Sequence, residues 1–241
     1  RRQRQMCIRD REEPAHLPQV RWLCDGAQLP DWTGDHPQMI KLTRKLPWSF
    51  TLAVSGGPDS MAALDFFKRG KKQFHAVHVN HGTAHAAEAE ELVRSECERL
   101  QVNLRVEKIV RKRDLEESWE EFWRNERYRI FDTLTGPVLT CHNLDDAVEW
   151  WVYTAMHGQP RLIPESNGSV LRPFLLTPKK TLRKWCKDHD VAFCDDPGNV
   201  NEQYMRSIVR HKIVPLGKRV NPGLEKVVKK MLIAEYGAVG K

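Results

Sequence analysis

The chain has 241 residues, of which 29 % are charged and 40 % hydrophobic, and its formal net charge is +7. This length and composition indicate a globular protein with one α/β domain and extensions. They exclude a membrane-spanning segment, because no apolar run approaches the roughly 18 residues needed. The basic N-terminus lacks the apolar stretch of a secretory signal. The six cysteines form no C-x-x-C pair, which argues against a zinc or iron–sulfur site and favours reduced thiols. We therefore expect a cytoplasmic protein without a membrane partner.

The positive charge is concentrated in the C-terminal third. Residues 161–241 contain 16 Lys and Arg against 8 Asp and Glu, so they carry a net +8 and the first 160 residues about −1. This asymmetry is typical of a polyanion-binding surface, although a merely solubilising surface would give the same count.

The predicted elements begin after an irregular extension. We expect residues 1–47 to form this extension, with one short helix over residues 38–46. From Phe50 onward strand-like and helix-like segments alternate. The predicted strands are 50–54, 74–80, 104–109 and 137–141, and the predicted helices are 59–69, 85–101, 116–134 and 144–157. This order predicts a doubly wound parallel sheet of about five strands with helices on both faces. A loop containing Asn167 and Gly168, a helix over residues 178–189, a turn at 195–198 and a basic helical tail follow.

The most informative local stretch is S-G-G-P-D-S at residues 55–60, between the first strand and the first helix. Gly56 and Gly57 leave room for a phosphate, and a helix N-terminus attracts anions. Asp59 beside an anion requires either a magnesium ion or a helix-capping role. A purely structural turn is the alternative. The spacing matches neither the Walker loop nor the dinucleotide-binding glycine motif.

This loop resembles the pyrophosphate loop of the N-type ATP pyrophosphatases (the PP-loop family), and its proline form is similar to that of the tRNA(Ile)-lysidine synthetases. Five further stretches resemble motifs of that family, in the family's order: H-V-N-H-G at 78–82, E-F-W-R-N-E-R-Y at 121–128, T-C-H-N-L-D-D-A-V-E at 140–149, R-P-F-L at 172–175 and the segment 196–215. The resemblance covers residues 51 to about 216. It implies a PP-loop domain over residues 48–216 and a basic C-terminal helix or tail over 217–241.

The resemblance implies that ATP, with Mg²⁺, adenylates the wobble cytidine of a CAU-anticodon tRNA and that free lysine then displaces AMP. The expected ATP-contacting residues are Ser55, Gly56, Gly57, Pro58, Asp59, Ser60, His78 and His142, with Asp59 as the magnesium ligand. Asp146, Glu149 and Arg206 are expected to position lysine, and Arg127 to face the activated base or the adenylate. The expected RNA contacts are Arg124, Arg210, Lys212, Lys218 and Arg219. A homodimer is a further expectation.

Spacing alone leaves alternatives open for these residues. Asp146 and Glu149 share a helix face, which suits a lysine ammonium but also an ordinary solvated acidic surface. We expect the tryptophans Trp119, Trp123, Trp150 and Trp151 to serve core packing rather than base stacking. The family pattern is broken at Asn143, Ala147, Trp150 and Ser207. Two alternative functions therefore remain: another adenylating tRNA modifier of the thiolase type, or an ATP- or tRNA-binding protein without turnover.

Overall fold

A computed structural model describes residues 39–83, 85–195 and 205–237 of the chain. Most of the expected N-terminal extension and most of the predicted turn at residues 195–198 lie outside these ranges. The short helix predicted over residues 38–46 is wrong for the described part, since residues 39–46 form no helix. Their backbone groups bond elsewhere: Thr43 N donates to the carbonyl of Pro173, and Lys41 exchanges two hydrogen bonds with the Thr177 hydroxyl. These hydrogen bonds hold the extended segment against Pro173 and Thr177.

The fold is a six-stranded sheet surrounded by helices, in the strand order β3-β2-β1-β4-β6-β5. The strands are β1 Ser49–Ala53, β2 Gln73–Asn80, β3 Leu104–Lys108, β4 Val138–Leu139, β5 Ser166–Asn167 and β6 Val170–Leu171. The helices are α1 Pro58–Arg69, α2 Ala86–Arg99, α3 Trp119–Asp132, α4 Leu144–Met156, α5 Lys179–Asp188, α6 Met205–Ile208, α7 Val214–Val220 and α8 Leu224–Tyr236, with a π-helical segment Val209–Ile213 between α6 and α7. Five strands are parallel and β5 is antiparallel. The predicted doubly wound sheet is confirmed.

Both faces of the sheet are buried. Because side chains alternate along each strand, neighbouring residues pack into opposite cores. On one face Leu52 and Ala76 pack with Leu64 of α1 and Leu182 of α5. The other face, which includes Val77, packs against α3. Parallel sheets of this kind bind ligands at the carboxyl ends of their strands, so that edge is where a site is expected.

The Asn167-Gly168 stretch, which we predict as a loop, is instead the tip of the β5–β6 hairpin. Gly168 has φ +58, the left-handed conformation that tight hairpin turns favour. The returning strand β6 pairs in parallel with β4 and becomes the fifth parallel strand. Two-residue strands carry too little alternation to be recognised from sequence, which is why this strand was not predicted.

A second core joins the C-terminal helices to the domain. Leu224, Val228 and Leu232 of α8 pack against Leu144 and Val148 of α4. The boundary that we expect between residues 216 and 217 falls within α7. None of the helices among the described residues has the length and apolar character needed to cross a membrane.

Candidate active site

The S-G-G-P-D-S loop connects the carboxyl end of β1 to the start of α1. Gly56 has φ +90, and a Cβ at this position would lie 3.1 Å from Cys194 Sγ and 3.2 Å from Ala89 Cβ. Only glycine fits there without strain. The Ser60 hydroxyl donates to the Gly57 carbonyl at 3.0 Å and lies 3.1 Å from both the amide and the hydroxyl of Ser55. The loop is therefore held in one conformation before any anion binds at the helix N-terminus.

Asp59 lies in the first turn of α1 and faces the start of α4. Its Oδ2 accepts a hydrogen bond from Asn143 Nδ2 at 3.1 Å and lies 4.0 Å from Lys179 Nζ. Its Oδ1 is covered and has no hydrogen-bond partner among the described residues. Burial, reinforced by the negative charge of Asp146, raises the pKa of Asp59 from 3.8 to about 6. A carboxylate in this position attracts a cation.

Asn143 connects the loop to the acidic pair, and its role was not anticipated from the sequence. Its side chain is fully buried. While Nδ2 donates to Asp59, Oδ1 accepts the amides of Asp145 and Asp146, and the Asn143 amide donates to Asp146 Oδ2. This reciprocal arrangement is a capping box. The N-x-x-D spacing was the available signal, but we interpreted the residue as a departure from the family pattern.

The acidic pair lies on α4 and is matched by two arginines. Glu149 is 2 % exposed, its Oε1 accepts a hydrogen bond from Arg206 Nε at 2.8 Å, and Arg206 Nη2 lies 2.8 Å from the same oxygen. Its Oε2 accepts from Arg210 Nε at 2.6 Å, and Arg210 Nη2 donates to Asp146 Oδ1 at 2.8 Å. The structure thus brings together the three residues expected to position lysine. It also places Arg210, which was expected to contact RNA, in this ion-pair cluster.

Comparison with known proteins identifies the family. The PP-loop domain family matches residues 37–217, which is most of the chain. The chain belongs to the PP-loop family. It is 31 % identical over 198 residues to a tRNA(Ile)-lysidine synthase of Pseudomonas fluorescens, and the match covers 73 % of this chain and 44 % of that protein. A tRNA(Ile)-lysidine synthase of Chromobacterium violaceum is 30 % identical over 191 residues, with coverage of 73 % and 44 %. The chain therefore spans less than half the length of these curated relatives.

A solved structure shares the PP-loop fold at lower sequence identity. The U34-tRNA thiolase NcsA from Methanococcus maripaludis, with its [4Fe-4S] cluster, superposes with a TM-score of 0.64 at 14 % identity. The superposition covers 83 % of this chain and 74 % of that one. At this identity the likeness shows the fold alone. Within residues 39–83, 85–195 and 205–237 of the present chain, no three His, Cys, Asp or Glu side chains are grouped as a metal site.

The S-G-G-P-D-S loop can provide one protein ligand to a magnesium ion. Mg²⁺ bound with nucleotide commonly takes one or two carboxylates and completes its shell with phosphate oxygens and water. Asp59 offers one carboxylate with an unpartnered oxygen beside the loop. It therefore fits as a single protein ligand in a site that nucleotide would complete.

Burial favours the neutral form of two histidines of the PP-loop domain. His78 is 2 % exposed, its Nδ1 lies 2.8 Å from the Val54 carbonyl, and burial lowers its pKa. It belongs to β2 and lies next to Val54, which follows β1. His142 Nδ1 lies 3.0 Å from the Thr140 hydroxyl, and burial lowers its pKa although Asp146 opposes this shift. Neutral imidazoles can donate to or accept from a nucleotide without adding charge. Their contact with ATP stays a prediction.

Three arginines of the PP-loop domain act electrostatically on His142. Arg127, Arg172 and Arg206 each lower the pKa of His142 through their positive charge, so they lie near it. Arg172 is 5 % exposed and donates to Tyr128 Oη at 2.6 Å. Desolvation of its guanidinium lowers the pKa of Arg127, although the residue as a whole is exposed, and the charges of Arg124 and Arg206 lower it further. This side of the site is therefore rich in positive charge.

The other residues expected to contact RNA lie outside this cluster. Arg124 places its guanidinium 5.7 Å from the centre of the Tyr128 ring. Lys218 pairs with Glu225 and lies 4.0 Å from Asp145 Oδ1, at the start of α4. Lys212 and Arg219 are exposed on the π-helical segment and on α7. Their contact with RNA is a prediction that the geometry leaves open.

Proposed function

We propose that this chain carries the catalytic part of a tRNA(Ile)-lysidine synthase, which attaches free lysine to the wobble cytidine of a CAU-anticodon tRNA at the cost of ATP. The observation that carries the proposal is the Asp59–Asn143–Asp146 connection. Through it the S-G-G-P-D-S loop, to which we assign phosphate binding, adjoins the carboxylate–arginine cluster. The names of the curated relatives support the same activity. A reaction joining a nucleotide to a charged amino acid needs both features side by side.

The proposed reaction has two steps. In the first, the cytidine oxygen at carbon 2 attacks the α-phosphorus of ATP, the bond to the β-phosphate breaks, and pyrophosphate leaves. In the second, the ε-amine of lysine attacks carbon 2, the carbon–oxygen bond breaks, and AMP leaves with that oxygen. The amine loses its protons to water or to a neighbouring base. Adenylation converts a poor leaving oxygen into a good one, and binding supplies the required proximity.

The loop residues have defined parts in the first step. The backbone amides at the start of α1 and the hydroxyl of Ser55 bind the phosphates, while the buried Ser60 hydroxyl, which donates to the Gly57 carbonyl, supports the loop. Asp59 would hold Mg²⁺, which would neutralise phosphate charge. Arg127 lies on the cationic side of the cleft and stabilises the negative charge of the adenylate.

The acidic pair positions lysine in the second step. Because Asp146 and Glu149 are balanced by Arg206 and Arg210, an incoming ammonium takes the place of one guanidinium on these carboxylates. Arg206 is the more exposed of the two arginines, with 38 % of its side chain accessible against 33 % for Arg210. We assign the exchange to Arg206, whose released guanidinium can then pair with the α-carboxylate of lysine. Arg210 holds the carboxylates in place and acts as a positioning residue.

The experiment that tests this function uses ATP labelled in its α-phosphate. We expect labelled AMP only when both lysine and a CAU-anticodon tRNA(Ile) are present, and no AMP with a matched tRNA whose wobble base is uridine. Glu149→Gln serves as the variant control and is expected to require much more lysine. AMP release that needs a sulfur donor instead of lysine would assign the chain to the thiolase class. If the chain binds ATP and tRNA but forms no AMP under any of these conditions, it is a binding protein without turnover.

A further inference from the structure

Trp119 and Trp123 of α3 form a surface that the proposed reaction does not use. Trp119 remains 46 % exposed although it begins a helix, and its ring centre lies 5.2 Å from that of Trp123. The Arg113 guanidinium lies 4.6 Å from the Trp119 ring centre. We name the Arg113, Trp119 and Trp123 side chains the aromatic platform. This arrangement differs from the core packing expected for Trp119, because nearly half of its surface meets water.

The platform is continuous with the candidate active site. Positions 119, 123 and 127 are spaced by four residues, so they follow one face of α3 toward Arg127. The Arg127 Nε donates to the Trp123 carbonyl at 3.3 Å, and the ring of His81, which follows β2, lies 5.9 Å from that of Trp123. Trp123 therefore lies at the carboxyl edge of the sheet, where the nucleotide site is.

We propose that the aromatic platform stacks against an unpaired base of the RNA substrate, close to the nucleotide that reacts. This inference rests on the proposed function for its substrate. Indole rings and guanidinium planes both stack on nucleobases and tolerate any base. Eight helical residues span about 12 Å, and stacked nucleotides are about 3.4 Å apart. A base within about four nucleotides of the one facing Arg127 therefore reaches Trp119.

Charge supports stacking rather than phosphate attraction at this surface. Residues 110–129 contain six Lys and Arg and six Asp and Glu, so the platform lies in a stretch without net charge. The Arg113 guanidinium is fixed by hydrogen bonds to the carbonyls of Asp114 and Glu117. This fixes its plane against the Trp119 ring. We therefore expect the contribution of the platform to depend little on salt, unlike that of the basic C-terminal residues.

The test measures binding of a synthetic anticodon stem-loop RNA with a CAU loop. We expect Trp119→Ala to weaken binding about tenfold, equally at 50 and 200 mM salt, and Trp119→Phe to retain most of the affinity. Arg113→Lys keeps the positive charge but removes the planar guanidinium group, and we expect it to weaken RNA binding about threefold. Trp48→Ala is the matched control, since Trp48 is 74 % exposed but precedes β1 at the opposite edge of the sheet.

Stem-loops with one abasic loop position each identify the stacked base. At one position near the wobble nucleotide, the abasic change is expected to weaken the native chain and to have no further effect on Trp119→Ala. If Trp119→Ala and Arg113→Lys both bind the stem-loop RNA as tightly as the native chain, the inference is overturned, and the platform is instead assigned to a protein partner. Absence of stem-loop binding by the native chain overturns it as well. Lysine-dependent AMP formation by the native chain is measured separately, so the platform and the proposed function can fail independently.

Discussion

Replacing Asp59 by Asn should stabilise the fold while abolishing adenylation. The carboxylate of Asp59 is enclosed, one of its oxygens lacks a hydrogen-bond partner in the described structure, and the side chain is 23 % exposed. Its pKa is raised from 3.8 to about 6 by burial and by Asp146. The charged form is thus disfavoured in the folded state. Asparagine removes that charge and keeps an oxygen that can accept the hydrogen bond from Asn143.

The raised pKa of Asp59 determines how much stability the Asp59→Asn change should gain and over which pH range the gain develops. A rise from 3.8 to about 6 corresponds to at most about 3 kcal/mol of lost stability at pH 7. Between these two values the folded state binds a proton that the unfolded state has released, so stability falls as pH rises through the window. The penalty is complete above pH 6 and absent below 3.8. Asp59→Asn should therefore raise the melting temperature by about 5–10 °C at pH 7.5 and by much less at pH 4.5.

The assay is thermal unfolding in EDTA at both pH values, together with pyrophosphate exchange in Mg²⁺. Asp65→Asn is a matched control on the same helix. Asp65 is also buried, but its Oδ2 already accepts from Arg69 at 2.6 Å and from Trp185 at 2.9 Å. We expect that variant to be less stable than the native chain. A melting temperature for Asp59→Asn equal to the native value at pH 7.5, or a gain that persists at pH 4.5, would refute the reasoning.

Three further predictions test the site. Gly56→Ala should destabilise the fold by about 1–3 kcal/mol and weaken ATP binding, because φ is +90 and the new Cβ would lie 3.1–3.2 Å from its neighbours. Thermal melting and titration with ATP measure the two effects, and a native ATP affinity would disprove a role for the loop. Glu149→Gln should raise the lysine KM at least tenfold and leave the ATP KM within about twofold, whereas Glu225→Gln on α8 should change neither; the reverse pattern would reassign Glu149 to the nucleotide. Replacing Lys218 and Arg219 by Ala should lower the log–log salt dependence of tRNA affinity by about one to two; an unchanged slope would place the RNA surface elsewhere.

Much of the fold was predictable because its signals are local. The strand at residues 50–54, the glycine turn and the following helix correspond to β1, the loop and α1 within one residue or two. Long periodic segments such as residues 85–101 and 144–157 correspond to α2 and α4. In each of these cases the hydrophobic period and the turn residues agree with the final packing. The elements that were missed depend on partners far along the chain.

The extended segment at residues 39–46 illustrates such a dependence. Its backbone hydrogen bonds go to Pro173 and Thr177, more than 120 residues away, and nothing in its own sequence specifies them. The short strand β6 is defined by its pairing with β4. The role of Asn143 likewise requires knowing that Asp59 and the start of α4 meet in space. Local patterns cannot supply these distances, whereas family motifs indicate which stretches converge.

The ion pairs of the site also change how the charge distribution is interpreted. The net +8 of residues 161–241 includes Arg206 and Arg210. Both are paired with Asp146 and Glu149, which belong to the first 160 residues and their net −1. At least two of the eight surplus charges are thus balanced by carboxylates of the first 160 residues, and Lys179 and Lys218 lie near two more, Asp59 and Asp145. Lys212 and Arg219, in the same region, are exposed. The sequence asymmetry therefore combines two features: an internal ion-pair cluster, to which we assign the binding of lysine, and exposed cations, to which we assign phosphate contacts.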